Sequence, residues 1–282
     1  MRRLFRSRAW YKFSRSWLSV AGLATILVIA LVTVVAPLIA PFPEHVGIFV
    51  DFRNTEQPPG WLYFFGTDDN GRDIFTRVLY AYRVSFAVGL LVLAIAVPVG
   101  VILGLLAGYY GGLVDTVIMR TTDVFLALPP LVLAMAIMGY LQPSLFNIML
   151  AISVMWWPWY TRLIYNLTRS LRHEGYVQAA KVSGASDLHI LLKEILPNCV
   201  PSLLTKMAFD MSFVILMIAA LGFVGLGMQP PTPDLGRMVA EGVRFMPFDW
   251  WMSVFPGLAI LILVLAFNLF GDGLRDMLDV DV

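Results

Sequence analysis

Residues 84–114 read VSFAVGLLVLAIAVPVGVILGLLAGYYGGLV, with no charged side chain between Arg83 and Asp115. A helix that crosses a hydrocarbon core about 30 Å thick needs roughly 20 mostly apolar residues, and this run exceeds that length. Four further charge-free stretches occupy residues 17–40, 124–161, 211–233 and 250–271. The second of these is long enough for two helices that turn within residues 139–144, Gly-Tyr-Leu-Gln-Pro-Ser. The pattern predicts an all-α polytopic membrane protein with six transmembrane helices, near 17–40, 84–108, 118–140, 144–166, 203–227 and 251–271.

Composition agrees. Of 282 residues, 59% are hydrophobic and 14% charged, with a mean hydropathy of +0.77, against about 25% charged in an ordinary soluble domain. The 20 basic and 19 acidic residues nearly cancel, which argues against a nucleic-acid binder or an acidic solvating protein.

Orientation follows from the basic residues. Arg2, Arg3, Arg6, Arg8, Lys12 and Arg15 precede the first span with no acidic residue among them, which places the N-terminus in the cytoplasm. Six spans return the C-terminus to the same side. The first apolar run is too long for a secretory signal peptide, and Leu38 and Pro41 stand where a cleavage site needs small residues. The division expected is therefore a basic cytoplasmic segment, residues 1–16, and a single transmembrane domain, residues 17–282. That domain carries an external loop at 41–82 and a cytoplasmic loop at 168–198. The latter holds Arg169, Arg172, Lys181 and Lys193, as the positive-inside rule requires.

Several chemistries are excluded. Cys199 is the one cysteine, and His45, His173 and His189 are dispersed over both sides of the membrane, so no haem, iron–sulfur or zinc constellation fits. Cys199 reads as a small packing residue. A phosphate-cradling loop would end in Gly-Lys, yet Lys12, Lys181, Lys193 and Lys206 follow Tyr11, Ala180, Leu192 and Thr205. The chain is expected to be no enzyme and to hold no cofactor, so its energy must come from an ion gradient or from a partner.

An ion-coupled carrier places ionisable residues inside the bilayer, where each is costly. Asp210 is the chief candidate, with Lys206 one turn earlier on the same helical face; mutual neutralisation is the plainer reading. Arg120 and Asp123 are expected to pair likewise. The spans otherwise carry packing and bending signals. Gly100, Gly104 and Gly108 recur every four residues, forming one face that lets another backbone approach closely. That partner helix belongs either to this chain or to another. Pro98 and Pro129-Pro130 bend their helices.

The cytoplasmic segment 174–198 reads EGYVQAAKVSGASDLHILLKEILPN. Helix formers from Tyr176 to Val182, an interruption at Gly184, a cap at Ser186 or Asp187 and a stop at Pro197 predict a helix, a turn and a second helix. Ala179, Ala180, Gly184 and Ala185 are small enough to sit closely in another protein's groove.

This segment resembles the EAA loop of ABC importer inner-membrane permeases: Glu-Ala-Ala, three residues, Gly, nine residues, then Ile-x-Leu-Pro. Gln178-Ala179-Ala180, Gly184 and Leu196-Pro197 stand at the matching spacing. Gln178 replaces the usual glutamate and Glu194 the isoleucine, which removes a charge-assisted contact but keeps a hydrogen-bonding group. From about Leu18 to the end, the chain resembles the C-type subunit of the dipeptide/oligopeptide (Dpp/Opp) permease family. The resemblance is carried by residues 65–73, FGTDDNGRD, residues 225–233, GLGMQPPTP, and residues 268–276, NLFGDGLRD. Trp250-Trp251 and Phe255-Pro256-Gly257 add to it.

Bottom-up roles stand beside that likeness. Thr67 is expected to cap an external amphipathic helix with Asp68 and Asp69 in its first turn. Arg72 and Asp73 are placed on a solvated or interfacial face. Gly222, Gly225, Gly227 and the prolines that follow predict a rigid extended exit from span five, and Trp250 and Trp251 an aromatic belt.

The resemblance implies a type I ABC permease fold in a prokaryotic cytoplasmic (inner) membrane. It implies a second homologous permease, two cytoplasmic ABC ATPase subunits that bind ATP and Mg, and an extracytoplasmic solute-binding protein, with the bilayer as solvent. Di- or oligopeptides are the implied solute; nickel, opines or oligosaccharides are the alternatives within the family, and a stand-alone carrier using Asp210 is the alternative outside it. Residues 168–198 would be the coupling loop.

Overall fold

In a computed structural model, residues 8–142 and 144–278 are described; Arg2, Arg3 and Arg6, and Pro143 of the expected turn, lie outside them. The described chain is helical. A short α1 (Arg8–Arg15) precedes α2 (Trp17–Ile39), and a long segment with one 3₁₀ turn (Pro43–Val46) leads to α3 (Ile74–Tyr110). Then follow α4 (Gly112–Leu126), α5 (Pro130–Tyr140), α6 (Leu145–Leu171), α7 (Gly175–Val182), α8 (Asp187–His189), a π turn (Ile190–Ile195), α9 (Leu196–Phe223), α10 (Leu235–Val243) and α11 (Trp251–Leu278).

Among the described residues, four helices are long and apolar enough to cross a membrane: α2, α3, the continuous stretch Asp187–Phe223 and α11. α4 and α5 make a fifth if taken together, bent by 87° at their break. That break falls at Pro129-Pro130, because Pro130 lacks the amide that would continue the ladder and restricts the residue before it. The expected fourth span corresponds to α6, 27 residues long. Arg162, Arg169 and its tryptophans and tyrosines lower its hydropathy.

α3 and α6 share the largest helix interface, while α11 packs on both α2 and α9. α2 is mostly uncovered by the rest of the chain; Leu27, Leu31, Val34 and Leu38 are all exposed. Such a face suits hydrocarbon, where an apolar side chain loses nothing by remaining outside the protein.

Five local expectations are corrected. Span two is helical from Ile74, not from about residue 84, because the Asp73 side chain accepts from Thr76 N at 2.7 Å and caps it. Thr67 caps no helix. The Asp68 carboxylate instead accepts from the amides of Asn70 and Arg72, a local turn that competes with helix formation. Pro197 does not stop the second loop helix: it lies in the first turn of α9, where its missing donor is tolerated after the wide π turn. Asp123 pairs with Arg162 of α6 and not with Arg120, since the bend after α3 lays α4 along α6. The chain after α9 turns at Gly225 (φ +90°) and folds back as α10 against α9 and α11. Buried Asp234 caps α10 by accepting from Arg237 N at 3.0 Å.

Candidate functional site

The predicted close-approach face lies between α3 and α6 of this same chain. A Cβ added at Gly100 would stand 2.4 Å from Tyr160 Cβ and 2.7 Å from Trp157 O; at Gly104, 2.7 Å from both Ile164 Cβ and Thr161 O; at Gly108, 2.7 Å from Thr168 Cβ. Three turns of backbone therefore meet with no side chain between them.

The α3–α6 pair ends at the loop that carries the EAA-like residues. Val177, buried at 2%, anchors α7, and Ile190, Leu191 and Ile195 anchor the returning segment. Gly184 N donates to Lys181 O and Ala185 N to Ala180 O, both at 3.1 Å. These are the paired bonds of a Schellman C-cap, which demands a left-handed residue where Gly184 sits at φ +81°. The Ser186 side chain then accepts from His189 N and opens the next helix. Asn198 Nδ2 donates to Tyr176 Oη at 3.2 Å and to Glu194 O at 2.6 Å, tying α7 to α9.

Gln178 and Ala179 are exposed, Ala180, Ala185 and Leu196 half-buried, and Pro197 exposed. The Gln178 side chain donates to Arg172 O at 2.8 Å, so it fastens the loop to the end of α6. Val182 and Leu188 flank the turn at 89% and 66% exposure. These two apolar knobs were not singled out from the sequence; their position on either side of the glycine was the available signal. A cleft of about 340 Å³ lies beside the loop, with Tyr110, His173 and Lys181 on its wall.

Asp210 is 2% exposed, and one of its oxygens lies 2.6 Å from the Lys206 ammonium. That ammonium also stands 5.7 Å from the Trp159 ring and 6.0 Å from Tyr160. The pair is intramolecular and braced by aromatics, as neutralisation in a low-dielectric setting requires. Cys199 is fully buried.

At the opposite end, Arg72 and Asp73 are buried, not on a solvated or interfacial face as expected, and Arg77 is buried with them. Asp68 bridges Arg72 at 2.8 Å and Arg77 at 3.6 Å, and Arg77 Nη1 donates to His45 O. Trp251 is likewise buried rather than part of a belt. Its indole must find an acceptor, and Nε1 donates to Thr67 O at 3.3 Å; Trp250 remains exposed.

His45 is stacked between Phe42 and Phe49, and its Nδ1 accepts from Asp73 N at 2.8 Å. Burial holds its pKa below the ordinary 6.5 against the pull of Glu44 and Asp73. A depressed histidine contributes stability that is complete above the unfolded value and is lost as pH falls through the folded one. Acidification from pH 7.5 to 5 is expected to speed hydrogen exchange at the Asp73 amide, because protonated Nδ1 cannot accept. His45→Gln should flatten that dependence, and equal exchange in the wild type at both pH values, after correction for intrinsic rate, would refute it.

Residues 100–282 match the family described as "Binding-protein-dependent transport system inner membrane component", and residues 5–59 match "N-terminal TM domain of oligopeptide transport permease C". The chain is similar to the dipeptide transport system permease protein DppC of Haemophilus influenzae, at 42% identity over 96% of this chain and 92% of that one. It is also similar to the probable D,D-dipeptide transport system permease protein DdpC of Escherichia coli, 43% identical over 93% of this chain and 87% of that one. The glutathione transport system permease protein GsiD of Pectobacterium atrosepticum is 36% identical over 96% and 89%. Among solved structures, an inward-facing conformation of the MetNI methionine ABC transporter shares the fold. Its TM-score is 0.55 at 19% identity, over 71% of this chain and 94% of that one.

Proposed function

The chain belongs to the family of binding-protein-dependent transport system inner membrane components, in its dipeptide and oligopeptide permease branch, and from that premise we propose what it passes and what drives it. As a member it is a multi-pass permease subunit of an ABC importer in the bacterial inner membrane. Its solute is a di- or oligopeptide, in keeping with the relatives named for dipeptides. It forms half of the pathway, and a second homologous permease forms the other half.

Two cytoplasmic ABC ATPases bind ATP and Mg, and an extracytoplasmic binding protein delivers the solute. The ATPases grip residues 168–198, with Gln178, Ala179, Ala180, Gly184, Ala185, Leu196 and Pro197 forming or shaping the gripped surface. The observation that carries this reading is the exposed helix–turn–helix at Gly184, anchored from beneath and bearing Val182 and Leu188 outward. Six spans, with α4–α5 as one broken span and α6 as another, place both termini in the cytoplasm; the basic N-terminal residues support that orientation. Residues 17–282 act as one permease domain.

Purification through a tag on this chain is expected to bring down the second permease and the ATPases. Proteoliposomes of the assembly should accumulate dipeptide only with ATP and the binding protein. Accumulation by the chain alone, driven by an ion gradient and lost in Asp210→Asn, would overturn the reading.

A further inference from the structure

The coupling loop is continuous with α6 at Arg172 and with α9 through the π turn, so both helices follow any movement of it. α3 has no such covalent link. It runs unbroken for 37 residues from the cap at Asp73 to Tyr110, about 55 Å at 1.5 Å per residue. Its inner end leads into α4 through Gly111 and Gly112, both at positive φ, +68° and +57°. A Cβ at Gly112 would meet nothing within 4 Å.

Two side chains bridge the gap. Arg172 Nη1 donates to Gly108 O at 3.0 Å and Tyr109 O at 3.4 Å, satisfying carbonyls that a helix C-terminus leaves without partners. That contact joins α3 to the end of α6, which the glycine face already does. Tyr109 Oη donates to Asp187 Oδ1 at 2.7 Å, across 78 positions of sequence. Asp187 follows the cap residue Ser186 and lies three positions beyond Gly184, on the turn itself. A carboxylate acceptor makes this the stronger type of hydrogen bond.

We propose that the Tyr109–Asp187 hydrogen bond is a latch that makes α3 travel with the coupling loop, carrying movement at the cytoplasmic face along α3 to the external layer. The proposal rests on the ABC importer reading. α3 ends outside in the Asp73 cap and the buried Arg77. Movement of its inner end therefore reaches the residues around His45 and Asp68 along a single helix, which continues through Pro98 without a break. Tyr109 and Asp187 are positioning residues, touching neither solute nor nucleotide.

The test uses the assembled importer in proteoliposomes with its binding protein and a dipeptide, with ATP hydrolysis and uptake read from the same vesicles. Tyr109→Phe removes one oxygen and is expected to lower solute imported per ATP about threefold, the worth of one solvent-exposed hydrogen bond to a charged group. Co-purification of the ATPases and the melting temperature should not change. Asp187→Asn keeps an acceptor but loses the charge and should give a ratio between those of wild type and Tyr109→Phe. Asp187→Ala should match Tyr109→Phe, and the double variant should be no worse than either single one. An unchanged ratio in Tyr109→Phe, additive losses in the double variant, or loss of ATPase co-purification would each overturn the latch. Failure of the wild-type assembly to form or to import in those vesicles would instead count against the importer reading.

Discussion

Gly104→Leu is expected to leave little folded permease. The first added carbon alone would lie 2.7 Å from Ile164 Cβ and Thr161 O and 3.0 Å from Tyr165 N. Two of those atoms are backbone, so relief requires α3 and α6 to part along their whole contact. Overpacking by single methylenes costs about 1–3 kcal/mol, and a leucine adds several carbons at the centre of the fold's largest helix interface. The gain in helix propensity on replacing glycine, about 1 kcal/mol, offsets only part of this. Size-exclusion profiles in detergent and the melting temperature of the purified complex would register the loss. Gly139→Ala is the control: nothing lies within 4 Å of its Cβ position, so it should be neutral or slightly stabilising. A monodisperse Gly104→Leu complex melting within a degree or two of wild type would show that the two helices can separate cheaply.

Gly184→Asp should act at the loop and leave the membrane domain nearly untouched. Within the chain, a side chain at Gly184 would meet nothing, so the effect arises from two other sources. At φ +81° a residue with a Cβ pays about 1–2 kcal/mol. A carboxylate introduced between Val182 and Leu188 must also be buried without a partner when an ATPase closes over the turn, at several kcal/mol more. Near-normal membrane insertion, at least tenfold weaker ATPase association and loss of dipeptide uptake are the expected results. Gly184→Asn tolerates the left-handed backbone without the charge and should be milder. Unchanged association and uptake in Gly184→Asp would refute the grip on this turn.

What is legible in the sequence and what is not divide by the range of the interactions involved. The glycines at four-residue intervals, the C-cap at Gly184 and the break at Pro129-Pro130 were legible because each depends on backbone geometry within a few residues. The same local reasoning failed at Thr67, where the Asp68 carboxylate drew nearby amides into a turn, and at Pro197, where a wide turn absorbed the missing donor. α10 does not stand out in the sequence although Asp234 is a good cap residue, because the prolines before it suggest only an extended exit. The Tyr109–Asp187 bond had no local signal, since it joins residues 78 positions apart in the chain.

By itself, the sequence determined that this is a helical membrane protein, roughly where its helices lie, and that its most elaborate polar segment is a helix–turn–helix joining two spans. Hydrocarbon imposes those features directly, because every backbone polar group must be satisfied within its own segment and charges must stay near the ends. The tertiary structure alone decided that the glycine face meets α6 of the same chain, that Asp123 pairs with Arg162, that His45 and Arg77 are buried, and that the loop reaches α3 through Tyr109. Apolar spans look alike to lipid and to one another, so which faces meet depends on shape and on a few distant polar contacts that hydropathy does not encode.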